Sequence, residues 1–259
     1  MKLGIIIQAR MNSKRLPGKV LKSFKGISPL LLLCDKLNKI NLLNSAILAT
    51  TNLKSDNKIV DFCKKKKIKY FRGSNNYVLK RYYDCAKKFK IKNIVRLTAD
   101  CPFLDLVLLK YMIHIFFKKK LNYLSNTYPL PCKYPDGSDI EIFSFKTLKK
   151  TFQSAILPSE KEHVTNLMYK NKSKKVMRID NKLDISSYRY TIDNKDDYKI
   201  FKFLIKNFDY NKILNFKTKE MVKFLKNHKE LTSYQKNLKR NYGWESSFRK
   251  DKKFKRISN

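Results

Sequence analysis

The sequence predicts an α/β fold, a mixed but mostly parallel sheet flanked by helices, and three observations carry that expectation. Residues 3–7 form a short apolar run with the β-branched content of a strand buried on both faces. Apolar runs of the same kind return at residues 46–49, 68–71 and 93–98, separated by segments of helical length and period. The first run empties into a loop carrying Arg10, Lys14, Arg15 and Lys19, with Pro17-Gly18 fixing the turn. Repeated strand–helix units build a parallel sheet with helices on both faces and leave a ligand site at the carboxyl ends of the strands.

Taken in order, each element has a local reason. Ser28 as cap and Pro29 in the first turn start a helix over residues 30–40. Residues 46–49 are the second strand, ending in Thr50-Thr51. Ser55-Asp56 caps a helix reaching about residue 66, with Ile59, Val60 and Phe62 on its apolar side. A third strand at 68–71 is followed by a loop and a helix over 77–89. The fourth, 93–98, delivers Asp100 just past its carboxyl end. The second half is less regular. Residues 123–126 and 140–143 read as strands around a Pro-rich loop, 129–135, of the long kind that covers sites. Helices are expected at 145–152, 161–169 and 195–208, and a final strand at 188–192 leads into Asp193. The chain therefore divides into one domain over 1–215 and a basic helical tail over 216–259.

Composition excludes several function classes. With 42% hydrophobic residues and 13% aromatics in 259 residues, the chain can bury a full core and is not disordered. Lys and Arg number 59 against 21 Asp and Glu, a formal net charge of +38. The lysines are spread over nearly every segment with many Asn and Ile, and no nucleic-acid reader motif accompanies them, so no specific nucleic-acid partner is expected. Such an excess does draw anionic small molecules. The apolar run 3–7 is too short for a secretory signal and 30–33 too short for a bilayer, so no membrane insertion is expected. The 5 cysteines form no C-x-x-C pair, which suits a reducing, cytoplasmic setting, and none has the neighbours of a nucleophile.

The loop after the first strand points to phosphates. It is not a Walker loop, because Gly18-Lys19 is followed by Val20 and the upstream glycine is missing. It also lacks the three glycines of the dinucleotide fingerprint. Arg10, Arg15 and Lys19 are the candidate phosphate ligands, with Ser13 and backbone amides assisting. Asp100 and Asp193 each follow an apolar run and can enter one cleft, where nucleotide-bound Mg2+ takes one or two carboxylates. Asp193 has an alternative task, capping the helix that follows it. Asp136, Asp139 and Glu141 form an acidic cluster in a basic chain, and strand alternation sets Asp139 and Glu141 on one face. They suit sugar hydroxyls or pairing with cations. Ser159 and Glu162 read as a capping box beside His163, a candidate sugar ligand.

The segment Gln8-Ala-Arg-Met-Asn-Ser-Lys-Arg-Leu-Pro-Gly-Lys-Val-Leu21 closely resembles the opening motif of the SpsF-type spore coat polysaccharide biosynthesis proteins. These belong to the cytidylyltransferase family with the 3-deoxy-manno-octulosonate and acylneuraminate cytidylyltransferases. The resemblance continues through Phe71-Arg-Gly-Ser74, Arg96-Leu-Thr-Ala-Asp-Cys-Pro102, Tyr134-Pro-Asp-Gly-Ser-Asp-Ile-Glu141, Ser159-Glu-Lys-Glu-His-Val-Thr165 and Thr191-Ile-Asp193, covering most of residues 1–207. The closing stretch Asn237-Leu-Lys-Arg-Asn-Tyr-Gly-Trp244 is similar to a tail of this subfamily. Two departures are Asn12 where the family usually has Gly, and Asn75-Asn76-Tyr77 where acidic residues are common.

The resemblance implies a Rossmann-like, GT-A-like nucleotidyltransferase fold and Mg2+-dependent transfer of CMP from CTP to an acidic sugar for surface polysaccharide, with pyrophosphate release. It implies nucleotide binding by Gln8, Ala9, Arg10, Ser13, Arg15, Lys19, Arg72 and Ala99, with Arg10, Lys19 and Asp100 catalytic. Asp100 and Asp193 are then the metal ligands, and Asp136, Asp139, Glu141 and His163 the sugar ligands. The partners are CTP and a sugar acid, with homodimerisation left open. The rival is a nucleotide-sugar-dependent glycosyltransferase of related fold, which normally shows paired aspartates where Thr98-Ala-Asp100 has one.

Overall fold

Strand β1 (Leu3–Gln8) sets the layout, because its side chains alternate between two cores. Ile5 and Ile7 enter one apolar cluster, Ile6 the other, and all three are fully buried. The computed structural model describes residues 3–171, 173–238, 240 and 245–258. β1 lies between β2 (Ala46–Thr51) and β4 (Asn93–Thr98), with β3 (Lys69–Gly73) beyond β2, all parallel. β5 (Tyr123–Ser125), β6 (Glu141–Ser144) and β7 (Val176–Arg178) complete a 7-stranded sheet of order β3-β2-β1-β4-β6-β5-β7. Only the pairs made by β6 are antiparallel, so the sheet is mixed and mostly parallel, as the strand–helix rhythm predicts. Gln8 pairs with Ala49 and with Thr98, which aligns the carboxyl ends of β2, β1 and β4 at one edge.

Helices α1 (Pro29–Lys39) and α2 (Asn57–Lys65) cover one face, α3 (Val78–Lys88) the other, and α4 (Leu106–Lys118) returns to the first. α5 (Phe145–Ser154), α6 (Pro158–His163) and α7 (Asn166–Tyr169) extend the α3 layer. α8 (Lys195–Asn207), α9 (Tyr210–Asn215) and α10 (Thr218–Asn227) build a third apolar cluster outside α1. That cluster holds Leu16 of the cationic loop as well as Leu32 and Phe103. Lys36 of α1 is fully buried and its ammonium donates to the carbonyls of Ile213, Leu214 and Phe216 at 3.1, 3.0 and 3.3 Å, a cation closing the carboxyl end of α9. Burial pushes this ammonium down to about 8.

Several local expectations change in the structure for tertiary reasons. Ser28 caps α1 as expected, accepting from the Leu31 amide at 3.2 Å. The buried Asp56 carboxylate does not cap α2. It accepts instead from Thr50 Oγ1 at 2.9 Å, the Thr51 amide at 3.0 Å and the Met11 amide at 2.7 Å, tying the end of β2 to the cationic loop. α4 has no counterpart in the sequence reading, because its residues are apolar nearly all round; Asp105 starts it by accepting from the Val107 and Leu108 amides, both at 3.0 Å. The helix expected over 161–169 is two short ones, broken at Val164, where φ is +59°. Residues 188–192 are extended but form no strand among the described residues. β7 takes the sheet edge instead.

The boundary expected after Asn215 falls inside continuous packing. Met221, Phe224 and Leu225 of α10 are buried in the third cluster, and Asp105 also accepts from the Thr218 amide at 2.8 Å. The last helix, α11 (Glu245–Ser258), lies against α6. Of the closing motif, Lys239 and residues 241–244 lie outside the described residues. Among the described residues, no helix is long and apolar enough to cross a membrane.

Gly137 shows how tightly the second half is folded onto the first. Its φ is +107°, and a Cβ there would stand 2.4 Å from the Thr191 amide nitrogen. We expect Gly137→Ala to cost roughly 1–3 kcal/mol in urea unfolding, since both the conformation and the space exclude a side chain. A loss below a few tenths of a kcal/mol would show that residues 190–191 move aside freely.

Candidate active site

The loop after β1 is drawn into a ring by its own backbone. The Met11 carbonyl accepts from the Ser13 and Gly18 amides at 2.9 and 2.8 Å, and Asp56 holds the Met11 amide. Gly18, at φ +69°, makes the turn that closes the ring. The ring opens on a cavity of about 580 Å³ at the carboxyl ends of β1 and β4. Such a volume is ordinary for a small-molecule site.

The centre of the site is one ammonium between two carboxylates. Lys19 is only 6% exposed and donates to Asp100 at 2.6 Å and to Asp193 at 2.9 Å. Arg15 donates to Asp193 as well. Burial works against charge on Lys19, yet the two carboxylates hold its proton more firmly than usual. Burial likewise opposes charge on Asp100, and the adjacent Lys19 outweighs it, holding the carboxyl down to about 2.

The two aspartates meet because residues 190–193 are pinned along the end of β4. The Ile192 amide donates to the Asp100 carbonyl at 2.7 Å, and Thr191 Oγ1 donates to the same oxygen at 3.2 Å. Asp197, almost fully buried, accepts from the backbone amides of Asp193 and Asn194 at 2.8 and 3.0 Å, from Arg189 at 3.0 Å and from the Tyr234 hydroxyl at 2.7 Å. The cap of α8 is Asn194, which accepts from the Asp196 and Asp197 amides. Asp193 is thereby relieved of the capping task and turns its carboxylate into the cavity.

Of the residues singled out from the sequence, Gln8, Ala9, Arg10, Ser13, Arg15, Lys19, Asp100 and Asp193 all line this cavity. Gln8 Oε1 is buried there and has no hydrogen-bond partner. Ala99 is buried beside it, its amide donating to the Gln8 carbonyl at 3.0 Å. Arg72 is turned to bracing, donating to the carbonyls of Thr51 and Leu53 at 3.0 and 2.8 Å and to Asn57 at 2.8 Å. It therefore does not line the cavity among the described residues.

The expected sugar ligands also stand apart from this cavity, each in a different bond. Glu141 is 1% exposed, paired with Arg96 and accepting from the Tyr123 hydroxyl at 2.6 Å. Asp136 pairs with Arg189. Asp139 accepts from Thr127 Oγ1 at 2.8 Å, the Gly137 amide at 3.0 Å and Arg240 at 3.0 Å. His163 is 2.6 Å from Ser247 Oγ, and burial lowers its imidazole to about 3, which keeps it neutral at pH 7.

Sequence reasoning missed other lining groups. Thr98, Val78, Glu162 and Lys250 also border the cavity, together with Lys14, Asn75 and Asn76. Glu162 is free to do so because Pro158 starts α6 early, so that Glu160 accepts from the Ile156 and Leu157 amides, both at 2.9 Å. Nothing in a lysine-rich tail distinguishes Lys250.

Two converging carboxylates are what a hard cation bound to a nucleotide takes from a protein, the remaining ligands being phosphate oxygens and water. Among the described residues no group of 3 or more His, Cys, Asp or Glu side chains gathers to hold a metal by itself. The donor set therefore fits a shared metal and not a closed structural one.

Comparison with known proteins agrees with this geometry. A family model described as cytidylyltransferase matches residues 4–241. A cytidylyltransferase from Leptospira borgpetersenii serovar Hardjo-bovis superposes with a TM-score of 0.82 and 33% identity, covering 92% of this chain and 98% of that one. The spore coat polysaccharide biosynthesis protein SpsF of Bacillus subtilis is 35% identical over 122 residues, which span 46% of this chain and 51% of that protein. A CMP:2-keto-3-deoxy-manno-octonic acid synthetase complexed with CTP shares the fold, with a TM-score of 0.58 and 15% identity, over 80% of this chain and 99% of that one.

Two outcomes are expected from the charge pattern. Asp197→Asn removes the carboxylate that holds the 193–194 backbone and should cost roughly 1.5–3 kcal/mol in urea unfolding, with weakened nucleotide binding at protein concentrations where the fold persists. Wild-type nucleotide affinity would show that Asp197 does not position Asp193. The Lys19 pair should also be read in pH. With its folded value at about 2, below the roughly 3.9 of an unfolded chain, Asp100 contributes stability that is complete above about pH 4 and lost as pH falls toward 2. The stability gap between wild type and Lys19→Met should therefore shrink between pH 5 and 2; a constant gap would remove Asp100 from the account.

Proposed function

We infer the reaction from one premise: this chain belongs to the cytidylyltransferase family and is a nucleotidyltransferase. The reading is that it transfers CMP from CTP to a hydroxyl of an acidic sugar, for surface polysaccharide. The observation that carries it is the cavity at the strand carboxyl ends, where Arg10 and Lys14 have no acidic partner among the described residues and stand beside the Asp100–Lys19–Asp193 cluster. Unpaired cations beside paired carboxylates suit a triphosphate and its cation together. Kinship with SpsF and the fold shared with a CTP-bound sugar-acid synthetase support the choice of base and acceptor. The orphaned Gln8 Oε1 adds an acceptor suited to a base amino group.

In this reaction the acceptor hydroxyl attacks the α-phosphorus, a new P–O bond forms, the α–β bridging bond breaks, and pyrophosphate leaves as the hydroxyl proton is released. The chain's task is positioning and charge stabilisation, with no covalent intermediate. Arg10, Arg15 and Lys19 hold the phosphate chain in line, assisted by Ser13 and the amides of the ring. Asp100 and Asp193 would hold a divalent cation, for which Mg2+ is the choice, and it would supply charge neutralisation on the phosphates. A glycosyltransferase of related fold is not favoured, because the family is one of nucleotidyl transfer.

The test is pyrophosphate release from each of four nucleoside triphosphates with a panel of sugar acids. Release with CTP and one sugar acid is expected; release with another nucleotide alone would change the base. Asp100→Asn and Asp193→Asn should each lower turnover by roughly two or more orders of magnitude, since metal charge stabilisation is worth several kcal/mol. The double variant should lose little more, because groups that act as one unit are non-additive. Near-normal turnover in Asp193→Asn would leave Asp100 as the single metal ligand.

A further inference from the structure

The C-terminal helix forms part of the cavity wall, which the division of the sequence into domain and tail does not anticipate. α11 is fixed to α6 by polar contacts at two points one turn apart. Ser247 Oγ lies 2.6 Å from His163 Nε2, and the Asp251 carboxylate accepts from the Ser159 amide at 2.9 Å. Ser247 is fully buried and Asp251 9% exposed, while the Phe248 ring sits 6.4 Å from that of His163. Positions 247 and 251 lie on one helical face, so docking them against α6 also fixes the direction of Lys250 beside them. Lys250 borders the same cavity as Arg10 and Lys14, next to Glu162 of α6 and opposite the cationic ring. Among the described residues it makes no ion pair, whereas Lys19 and Arg15 are already engaged by Asp100 and Asp193.

We propose that α11 is a wall of the nucleotide site and that Lys250 binds the phosphate chain of the bound nucleotide from the side facing the β1 loop. This rests on the reading of the cavity as a nucleotidyl-transfer site and adds to it a ligand outside residues 1–215. The chemistry recognised is an anionic phosphate, of the substrate triphosphate or of the pyrophosphate product. A wall carried by a separate helix also explains why His163, which would be a poor proton carrier at neutral pH, is placed beside the site: its imidazole anchors α11.

The experiment uses the full chain and titrates CTP and, separately, inorganic pyrophosphate into wild type, Lys250→Met and Lys250→Arg, with thermal unfolding as the control of fold. Lys250 is exposed, so all three proteins should melt together. Lys250→Met should weaken both ligands about fivefold, the size of one solvent-screened charge contact. The loss should diminish with added salt, and Lys250→Arg should recover most of the affinity. Unchanged affinity for both ligands in Lys250→Met overturns the proposal, as does a loss for CTP with none for pyrophosphate, which would place the contact away from phosphate. A wild-type chain that binds pyrophosphate but releases none from CTP with any sugar acid would count against the proposed reaction while leaving the role of Lys250 standing.

Discussion

One ammonium organises this molecule. Lys19 joins three stretches of chain by reaching Asp100, 81 positions away, and Asp193, 174 positions away. Without it, two carboxylates would face each other in a cleft shielded from water, and their repulsion would open the strand ends. A buried charge cluster of this type is seldom a net gain in stability, because desolvation offsets the attraction. Its retention is better explained by what the cluster can bind. The surrounding devices all serve its geometry: Asp56 grips the Met11 amide, the 190–193 segment lies along β4, and Asp197 fixes the turn that follows.

The acids of this basic chain are spent inside it. Asp56, Asp105, Glu141 and Asp197 are all buried and all occupied by backbone amides, hydroxyls or guanidinium groups. With only 21 acidic residues against 59 basic ones, such use leaves a surface dominated by lysine. Two of the arginines then act as internal staples. Arg189 links Asp136 to Asp197, and Arg240 reaches from the closing motif to Asp139 and to the Tyr134 carbonyl at 2.6 Å. A residue type expected to meet substrate is in these places a cross-brace between the second half of the sheet and the helices beyond it.

The parts of the structure legible in the sequence are those whose causes are local. β1 to β4 and the helices α1 to α3 follow from apolar runs, caps and Pro-Gly turns within a few residues, and the cationic loop could be read because its charges are contiguous. α4 escaped because an all-apolar helix has no stripe, and β7 because a half-buried, polar edge strand has no alternation to detect. The 188–192 segment was read as a strand from its composition, yet its bonds go to Asp136 and Asp100 and not to a ladder. The same limit applied in the site. Arg72, Glu141 and His163 carry side chains that serve binding and bracing equally well, and only their partners decide. Lys250 gave no signal at all, since its meaning comes from Ser247 and Asp251 on the same helical face.

The pairing of charges also constrains the order in which the site can work. In this structure Asp100 and Asp193 are bound to Lys19 and Arg15, so a lone divalent cation must displace two ammonium-type partners to reach them. Phosphate oxygens offer Lys19 and Arg15 the same charge-assisted bonds that the carboxylates now provide. Arg10 and Lys14, which have no acidic partner among the described residues, can meet a phosphate chain without giving anything up. On the proposed reaction the nucleotide is therefore the partner that frees the carboxylates, and cation affinity should depend on its presence. A chain that held its cation before its nucleotide would need a further carboxylate near Asp100, and among the described residues no such third ligand gathers there.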